Sequence, residues 1–199
     1  MKTIQFIVIG VLACCLIFII GKKYISPNNA PARPIEAEFE HYYLKSQMMQ
    51  WLSNEGLEIN NLKLFYGNDT SKIELLYDLI NKPTLVYYVS GKMCSSCIQF
   101  GIKKAKEYFG EFENNPNVIL LVSDMTPREK RALYNNQCYS FFDENEKLNI
   151  PIETTNLPFF FVIDTNKKVT MFFLPDSTNP IFTEKYLEII SRRFIKHTQ

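Results

Sequence analysis

Residues 84–109, TLVYYVSGKMCSSCIQFGIKKAKEYF, combine an apolar strand pattern, a pair of cysteines and a helical pattern, and they are the most regular part of the sequence. Residues 84–89 are a short, continuous run of β-branched and aromatic side chains, which is typical of a central strand buried on both faces. A loop follows, and then a CxxC pair, Cys94 and Cys97. From residue 97 to 109 the apolar residues recur at helical spacing, with lysines towards the opposite face. The stretch predicts a buried strand that leads through CxxC directly into a helix.

The residues after this unit repeat the same alternation of strand and helix. Residues 118–123, VILLVS, form a second buried-strand pattern. Thr126 and Glu129 have the spacing of a capping box, and Pro127 stands at the first helical position. We expect that helix to run to about Gln137. A strand, a crossover helix and a parallel strand make a βαβ unit, so a partly parallel sheet is predicted.

The last third of the chain has a different pattern. Two apolar runs, residues 159–163 and 169–174, flank the turn sequence DTNKK, which predicts an antiparallel hairpin. Thr183 is placed to cap a final helix, with Phe182 and Leu187 as a hydrophobic staple. The predicted order is therefore β-α-β-α-β-β-α after an N-terminal extension.

The extension is predicted to hold a linker, a helix and an edge element. Residues 24–34 are rich in Pro and Asn and indicate a linker. Residues 36–53 are expected to form a stalk or cap helix that packs through one apolar face and closes at Gly56. Residues 57–66 can supply an edge strand or hairpin, and residues 71–81 a short amphipathic helix. The apolar face of the stalk helix comprises Ile35, Phe39, Tyr42, Met49 and Leu52, with Trp51 beside them.

The N-terminus begins with an apolar run. Residues 3–21 are uncharged and mostly apolar, and 19 such residues are just long enough to cross a bilayer as a helix. An uncleaved anchor is the favoured interpretation. A cleaved signal fits less well, because the run continues past Cys14 and Cys15 where a small-residue cleavage site should stand. A lipoprotein signal also fits imperfectly, because Leu12 is bulky for its place in VLAC. The predicted parts are residues 1–23 (anchor or signal), 24–56 (linker and stalk) and 57–199 (main domain).

Composition excludes some classes of function. The net charge is +1 and no long basic run is present, which argues against nucleic-acid binding. Five cysteines are too few for a disulfide scaffold in 199 residues. Cys138 is expected to be a buried structural cysteine. The two histidines, His41 and His197, lie towards the ends of the chain and receive no functional role.

The order of elements and two landmarks resemble the thioredoxin-like superfamily. CxxC stands at a strand-to-helix junction, and Thr155-Asn156-Leu157-Pro158-Phe159 places a proline directly before the hairpin. The resemblance covers roughly residues 57–196, and the longer N-terminal part is similar to membrane-tethered, TlpA-like thiol–disulfide oxidoreductases of bacteria. It implies an α/β thioredoxin-like fold, a central mixed sheet flanked by helices, and a cis peptide bond before Pro158, which would face CxxC.

The resemblance also implies an activity. Cys94 would attack partner disulfides and Cys97 would resolve the mixed disulfide, because thiols at a helix N-terminus titrate below their usual range. The substrate groove would comprise Met93, Ser95, Ser96, Leu157 and Pro158. Trp commonly stands where this chain has Met93, and Pro is usual between the cysteines, so redox potential and partner choice stay open. The chemistry needs only two thiols, and no cofactor is predicted.

The implied partners are protein thiols and disulfides, with electrons supplied by another membrane protein and a reductive direction favoured. A short N-terminal anchor together with CxxC suits a single-pass protein of the inner membrane, with its domain facing the periplasm or the outside. This membrane location and orientation are a hypothesis based on the sequence alone.

Three alternatives compete with the oxidoreductase. A copper carrier on the same fold would need a histidine or further soft ligands beside CxxC, and neither His41 nor His197 is well placed. Met93 is the nearest soft side chain, and packing is its expected role. A peroxidase would carry a Pro-x-x-x-Thr-x-x-Cys signature, which is missing before Cys94. A redox-silent binding domain would use CxxC as a structural disulfide, which its position in a loop disfavours.

Overall fold

The computed structural model describes residues 35–143 and 145–195. The predicted anchor, the linker, Cys14, Cys15 and His197 lie outside these residues. Within the part of the chain that is described, no helix is both long enough and apolar enough to span a bilayer.

The described elements alternate much as predicted. The helices are α1 (Ile35–Asn54), α2 (Leu76–Leu79), α3 (Ser95–Phe109), α4 (Pro127–Tyr134) and α5 (Pro180–Ile190). The strands are β1 (Lys63–Tyr66), β2 (Ile73–Leu75), β3 (Thr84–Ser90), β4 (Val118–Ser123), β5 (Tyr139–Phe141), β6 (Phe159–Ile163) and β7 (Val169–Phe173). Single turns of 3₁₀ helix occupy Phe112–Asn114 and Pro151–Thr155, and a π-helical turn, Ser191–Ile195, follows α5.

The described strands form one mixed sheet in the order β2-β1-β5-β4-β3-β6-β7. Strands β3, β4 and β5 are parallel, whereas β6 runs antiparallel to β3 and β7 antiparallel to β6. A βαβ unit that enters CxxC, followed by an antiparallel hairpin and a final helix, is the connectivity of the thioredoxin-like fold. The predicted fold and the predicted hairpin are confirmed.

The core lies on both faces of the central strands. Every residue of β3, β4 and β6 is buried, as their continuous apolar patterns predicted. Tyr87 of β3 stacks on Phe160 of β6 at 4.2 Å between ring centroids, and Tyr88 packs against Phe159 on the other face. Helices α3 and α5 pack together, and Lys104 of α3 forms an ion pair with Glu184 of α5 at 2.7 Å.

Residues 71–81 do not form the predicted amphipathic helix. Residues 73–75 instead pair with β1 as strand β2, and only one helical turn, α2, follows. The amide of Leu76 donates to the carbonyl of Leu62 at 2.9 Å, and the amide of Tyr77 donates to Asn61 Oδ1. Pairing with a strand distant in sequence therefore overrides the local helical pattern. As a result β1 lies inside the sheet, between β2 and β5, and β2 is the edge.

Three further boundaries differ from the predictions. Strand β5 was not predicted, because three residues are too few to show a strand pattern. Helix α4 has the predicted capping box at Thr126 but ends at Tyr134, because Asn135 takes the left-handed conformation with φ 50°. Helix α5 begins at Pro180, one turn before the predicted cap, and Thr183 is buried within it. The hydroxyl of Thr183 accepts the amide of Asp176 at 3.3 Å.

Helix α1 forms where predicted, but its apolar face does not pack inward. Tyr42, Met49 and Leu52 are exposed, each by more than half of its surface. The helix contacts the main body through polar side chains instead. Gln47 donates to the carbonyl of Leu174 at 2.8 Å and accepts its amide at 3.1 Å. The predicted stalk helix is therefore present, and Met49, Trp51 and Leu52 of its predicted apolar face are exposed.

Candidate functional site

The CxxC pair lies where β3 passes into α3. Cys94 is the N-cap residue of α3 in an extended conformation, and its carbonyl accepts the amide of Ile98 at 3.0 Å. A tight turn joins the two elements, since the amide of Met93 donates to the Ser90 carbonyl and the amide of Ser90 contacts the Met93 sulfur at 3.2 Å. The predicted junction is confirmed, and Cys94 lies at the positive end of the α3 dipole.

The turn needs a glycine at residue 91. A Cβ atom on Gly91 would lie 2.0 Å from the carbonyl oxygen of Asp124, the residue after β4. Only glycine allows this approach without moving the backbone. The Asp124 carboxylate also accepts the Ser90 hydroxyl at 3.1 Å and pairs with Lys92 at 3.3 Å. The loop before Cys94 is thus held to the end of the neighbouring parallel strand.

The two thiols of the pair differ in exposure and in acidity. Cys94, Cys97 and Cys138, the cysteines of the described residues, are all free, with Cys94 exposed and Cys97 half-buried. Hydrogen bonds from the Cys97 thiol, the Ser96 hydroxyl and backbone amides of α3 lower the pKa of Cys94 to about 7. The Cys94 sulfur lies 3.0 Å from Ser96 Oγ. Near neutral pH a large fraction of Cys94 is therefore thiolate, the nucleophilic form.

The pKa of Cys97 is shifted in the opposite direction. Its hydrogen bond to Cys94 raises the pKa most, followed by partial burial and by the negative charge of Cys94, with a further contribution from Asp176. Cys97 therefore keeps its proton while Cys94 ionises. The expectation that Cys94 is the more exposed thiol is confirmed.

Tyr87, which the sequence pattern indicated only as part of a buried strand, lies beneath the helix and contacts the turn that carries Cys97. The Tyr87 hydroxyl is buried and lies 3.3 Å from the Cys97 carbonyl and 3.2 Å from that of Ile98, to which it donates. A Cβ at residue 101 would lie 2.2 Å from this hydroxyl, so Gly101 makes room for it. A tyrosine in the strand before CxxC and a glycine one turn after it were the available signals.

The peptide bond before Pro158, the residue that precedes β6, differs from the prediction. The bond between Leu157 and Pro158 is trans, so the predicted cis bond is wrong. Asn156 ends the preceding 3₁₀ helix in the left-handed conformation, with φ 54°. The proline then enters the strand without the less stable isomer.

Register places Pro158 at the same end of the sheet as CxxC. Phe159, the next residue, pairs with Tyr88, two residues before the end of β3. Pro158 is buried and Leu157 is 44% exposed. Of the other predicted groove residues, Ser95 and Ser96 are exposed on the first turn of α3, whereas Met93 is buried in the core.

Cys138 lies in the core next to β5. It is 1% exposed, and burial raises the pKa of its thiol to about 11. The expected burial of Cys138 is confirmed, and a structural role stays a prediction. His41 is exposed on α1, and in the described part of the chain no three His, Cys, Asp or Glu side chains are grouped so that they could hold a metal ion.

The known proteins to which this chain is similar are solved structures. No protein-family model and no curated protein matches the chain. A protein of Chlorobium tepidum described as the thiol:disulfide interchange protein DsbE is similar, at 12% identity over 68% of this chain and 96% of that chain, with a TM-score of 0.45.

Two further solved structures are similar to a comparable degree. The exposed lipoprotein thioredoxin Etrx1 of Streptococcus pneumoniae has 19% identity over 65% of this chain and 99% of its own, with a TM-score of 0.44. ScoI of Bradyrhizobium japonicum with copper bound has 15% identity over 68% and 99%, with a TM-score of 0.46. The assignment of the fold rests on the strand order and connectivity of this chain.

Proposed function

Because this chain has a thioredoxin-like fold, we propose that it is a thiol–disulfide oxidoreductase that acts on protein thiols and disulfides through Cys94 and Cys97. One observation carries the proposal. Cys94, the N-cap residue of α3, carries an exposed thiol with a pKa of about 7, and Cys97, whose thiol has a raised pKa, lies one turn further along the helix. Such a pair supplies a nucleophile and a protonated resolving group in the same site.

The proposed reaction uses Cys94 as the thiolate and Cys97 as the protonated thiol. The Cys94 thiolate attacks one sulfur of a partner disulfide, so that a mixed disulfide forms and the other partner sulfur leaves as a thiolate, which takes up a proton. Cys97 then loses its proton and attacks the Cys94 sulfur, which releases the second partner thiol. The partner gains two electrons and two protons, and Cys94–Cys97 becomes a disulfide. A reduced donor returns the pair to dithiol by the reverse sequence.

The surface beside Cys94 supports the binding of an extended segment of the partner. Ser95, Ser96 and Leu157 are exposed, and Pro158 lies at the same end of the sheet as Cys94. Ser95, Ser96, Leu157 and Pro158 are therefore proposed as the substrate groove. Met93, the fifth residue predicted there, is buried in the core and its sulfur contacts the amide of Ser90, so its proposed part is to hold the loop before Cys94.

The N-terminal apolar run bears on where the protein acts and on the direction of its redox reaction. Residues 3–21 would anchor the chain in the inner membrane, with the domain facing the periplasm or the outside. In that position we propose a reductive role, with electrons supplied by another membrane protein.

A redox titration of the full chain in detergent tests the activity. Wild type should show one two-electron couple that is lost in Cys94→Ala and in Cys97→Ala and kept in Cys138→Ala. Incubated with a disulfide-bonded protein, Cys97→Ala should trap a stable mixed disulfide and Cys94→Ala should not. The absence of a reversible couple in wild type would refute the proposal. Stoichiometric, tight copper binding by the reduced chain would favour the carrier instead.

A further inference from the structure

One face of α1 presents apolar side chains to solvent. Lys45, Met48, Met49 and Leu52 follow the spacing i, i+3, i+4, i+7 and so form one stripe, with Trp51 beside it. Met48, Met49 and Leu52 are 57, 56 and 55% exposed, and Trp51 is 39% exposed. A surface helix of a globular protein usually turns such a stripe towards the core. We call these five residues the α1 stripe.

The opposite face of α1 holds the helix in this orientation. Gln47 makes two hydrogen bonds to the backbone of Leu174. Asn54 is fully buried, donates to the Gln50 carbonyl and accepts the amide of Ile152. The residues from Lys45 onward belong to the same compact unit as the sheet. Turning the stripe inward would break these bonds and leave buried polar groups without partners, so the exposed orientation is the stable one.

We propose that the α1 stripe lies on the surface of the bilayer that anchors the chain, with Lys45 among the lipid phosphates. This contact rests on the membrane anchorage proposed above for residues 3–21. Trp, Leu and Met beside a lysine are the side chains of a helix that lies in the membrane interface. The carboxylates of α1, Glu36, Glu38 and Glu40, all precede Lys45, and residues 45–54, which include the stripe, contain no Asp or Glu that would oppose anionic headgroups.

The length of the intervening chain favours lipid over other occupants. Thirteen residues, 22–34, separate the apolar run from the start of α1, and such a segment spans at most roughly 45 Å when extended. An anchored chain therefore keeps the stripe within reach of its own bilayer at all times. Tethering makes the contact intramolecular, so a small apolar patch is sufficient to hold it. For function, this contact would fix the orientation of the domain relative to the bilayer and therefore to partner proteins in the membrane.

Trp51 is the single tryptophan of the chain, so its fluorescence reports on the stripe alone. The full chain is reconstituted into vesicles of phosphatidylcholine and phosphatidylglycerol at a ratio of about 3:1. We expect lipids with brominated acyl chains to quench Trp51, and acrylamide in the water to quench it at least twofold less than in the urea-unfolded chain. Met49→Gln/Leu52→Gln should lower the lipid quenching at least twofold. Ile181→Gln/Ile189→Gln, which removes two exposed apolar side chains from α5, should leave it unchanged.

Three results would overturn the inference. If the chain floats with alkali-washed vesicles but Trp51 is open to acrylamide and unquenched by brominated lipid, the anchorage stands and the stripe does not touch the bilayer. If Trp51 is shielded from acrylamide without lipid quenching, and the shielding rises with the protein-to-lipid ratio, a second copy covers the stripe. If the chain does not float, the anchorage itself fails, and the redox titration decides separately whether the thiol chemistry remains.

Discussion

The hydroxyl of Tyr87 occupies the space in which a side chain at Gly101 would lie, 2.2 Å from where its Cβ would be. The same hydroxyl donates to the carbonyls of Cys97 and Ile98. A strand residue and a helix residue thus set how closely α3 approaches the sheet. Because Cys97 belongs to that helical turn, its position relative to the core depends on both.

Gly101→Ala should destabilise the fold, although alanine is the better helix former. The gain in helix propensity is about 1 kcal/mol, while forcing a methyl group against a buried ring costs about 1–3 kcal/mol or more. We expect a net loss in the free energy of unfolding, measured by urea denaturation. Gln99→Ala, at an exposed position of the same helix, is the control and should be close to neutral. A stabilised Gly101→Ala would show that α3 shifts without cost.

Tyr87→Phe removes the hydroxyl and keeps the ring. The carbonyls of Cys97 and Ile98 retain their helical amide partners, so no acceptor is left unsatisfied and the loss should be about 1 kcal/mol. If the hydroxyl positions the resolving thiol, the midpoint potential of the Cys94–Cys97 couple should shift as well. Tyr186→Phe removes another buried hydroxyl, which donates to the carbonyl of Met171 on β7, and should leave the potential unchanged. Equal potentials in wild type and both variants would limit Tyr87 to a packing role.

The reactivity of Cys94 should follow its ionisation. Hydrogen bonds lower the pKa of Cys94 to about 7. Because only the thiolate reacts, the rate of alkylation of Cys94 by iodoacetamide should increase with pH and reach half of its maximum near pH 7. Ser96→Ala removes one of these hydrogen bonds and should move the midpoint upward. Mass spectrometry of the labelled peptide separates Cys94 from Cys97 and Cys138.

The other two thiols provide internal controls for that profile. Cys97, whose pKa is raised, should be alkylated only at higher pH, and Cys138 should stay unlabelled until the chain unfolds. If Cys97 were labelled before Cys94 at neutral pH, the assignment of nucleophile and resolving thiol would be reversed.

Lys130 should make stability depend on pH in the alkaline range. It is 4% exposed, its amino group lies 3.1 Å from Ser140 Oγ and 4.5 Å from the centre of the Phe65 ring, and burial lowers its pKa. Between this lowered pKa and about 10.4 the unfolded chain binds more protons than the folded one. The contribution of Lys130 to the free energy of unfolding should therefore increase as pH rises through that window.

Lys130→Met removes that contribution, so the change in the free energy of unfolding with pH through this window, measured by urea denaturation, should be less positive than in wild type. Replacing a buried charge by an apolar side chain of similar length is often neutral or stabilising at neutral pH. Lys103→Met, at an exposed position of α3, should keep the wild-type pH dependence. An unchanged profile in Lys130→Met would mean that Lys130 titrates alike in the folded and unfolded states.

Much of the site could be predicted from local pattern. The apolar run of β3, the helical spacing after Cys97, the Thr126 capping box and the β6–β7 turn each involve residues a few positions apart. Their physics is short-range, namely periodic burial, caps and turn geometry. The trans bond before Pro158 was missed, because the cis bond was inferred from the resemblance to a family and not from the residues around Pro158.

Local sequence pattern was sufficient to predict that a buried strand enters a helix through Cys94 and Cys97, and hence that two thiols stand one turn apart at a helix N-terminus. Three features became visible only in the folded chain: Tyr87 contacts the Cys97 carbonyl through the gap at Gly101, residues 73–75 join the sheet, and the α1 stripe faces outward. The reason is that burial, register and helix orientation are set by contacts between segments far apart in the chain. Local periodicity predicts which side of an element is apolar, and long-range packing decides what that side faces.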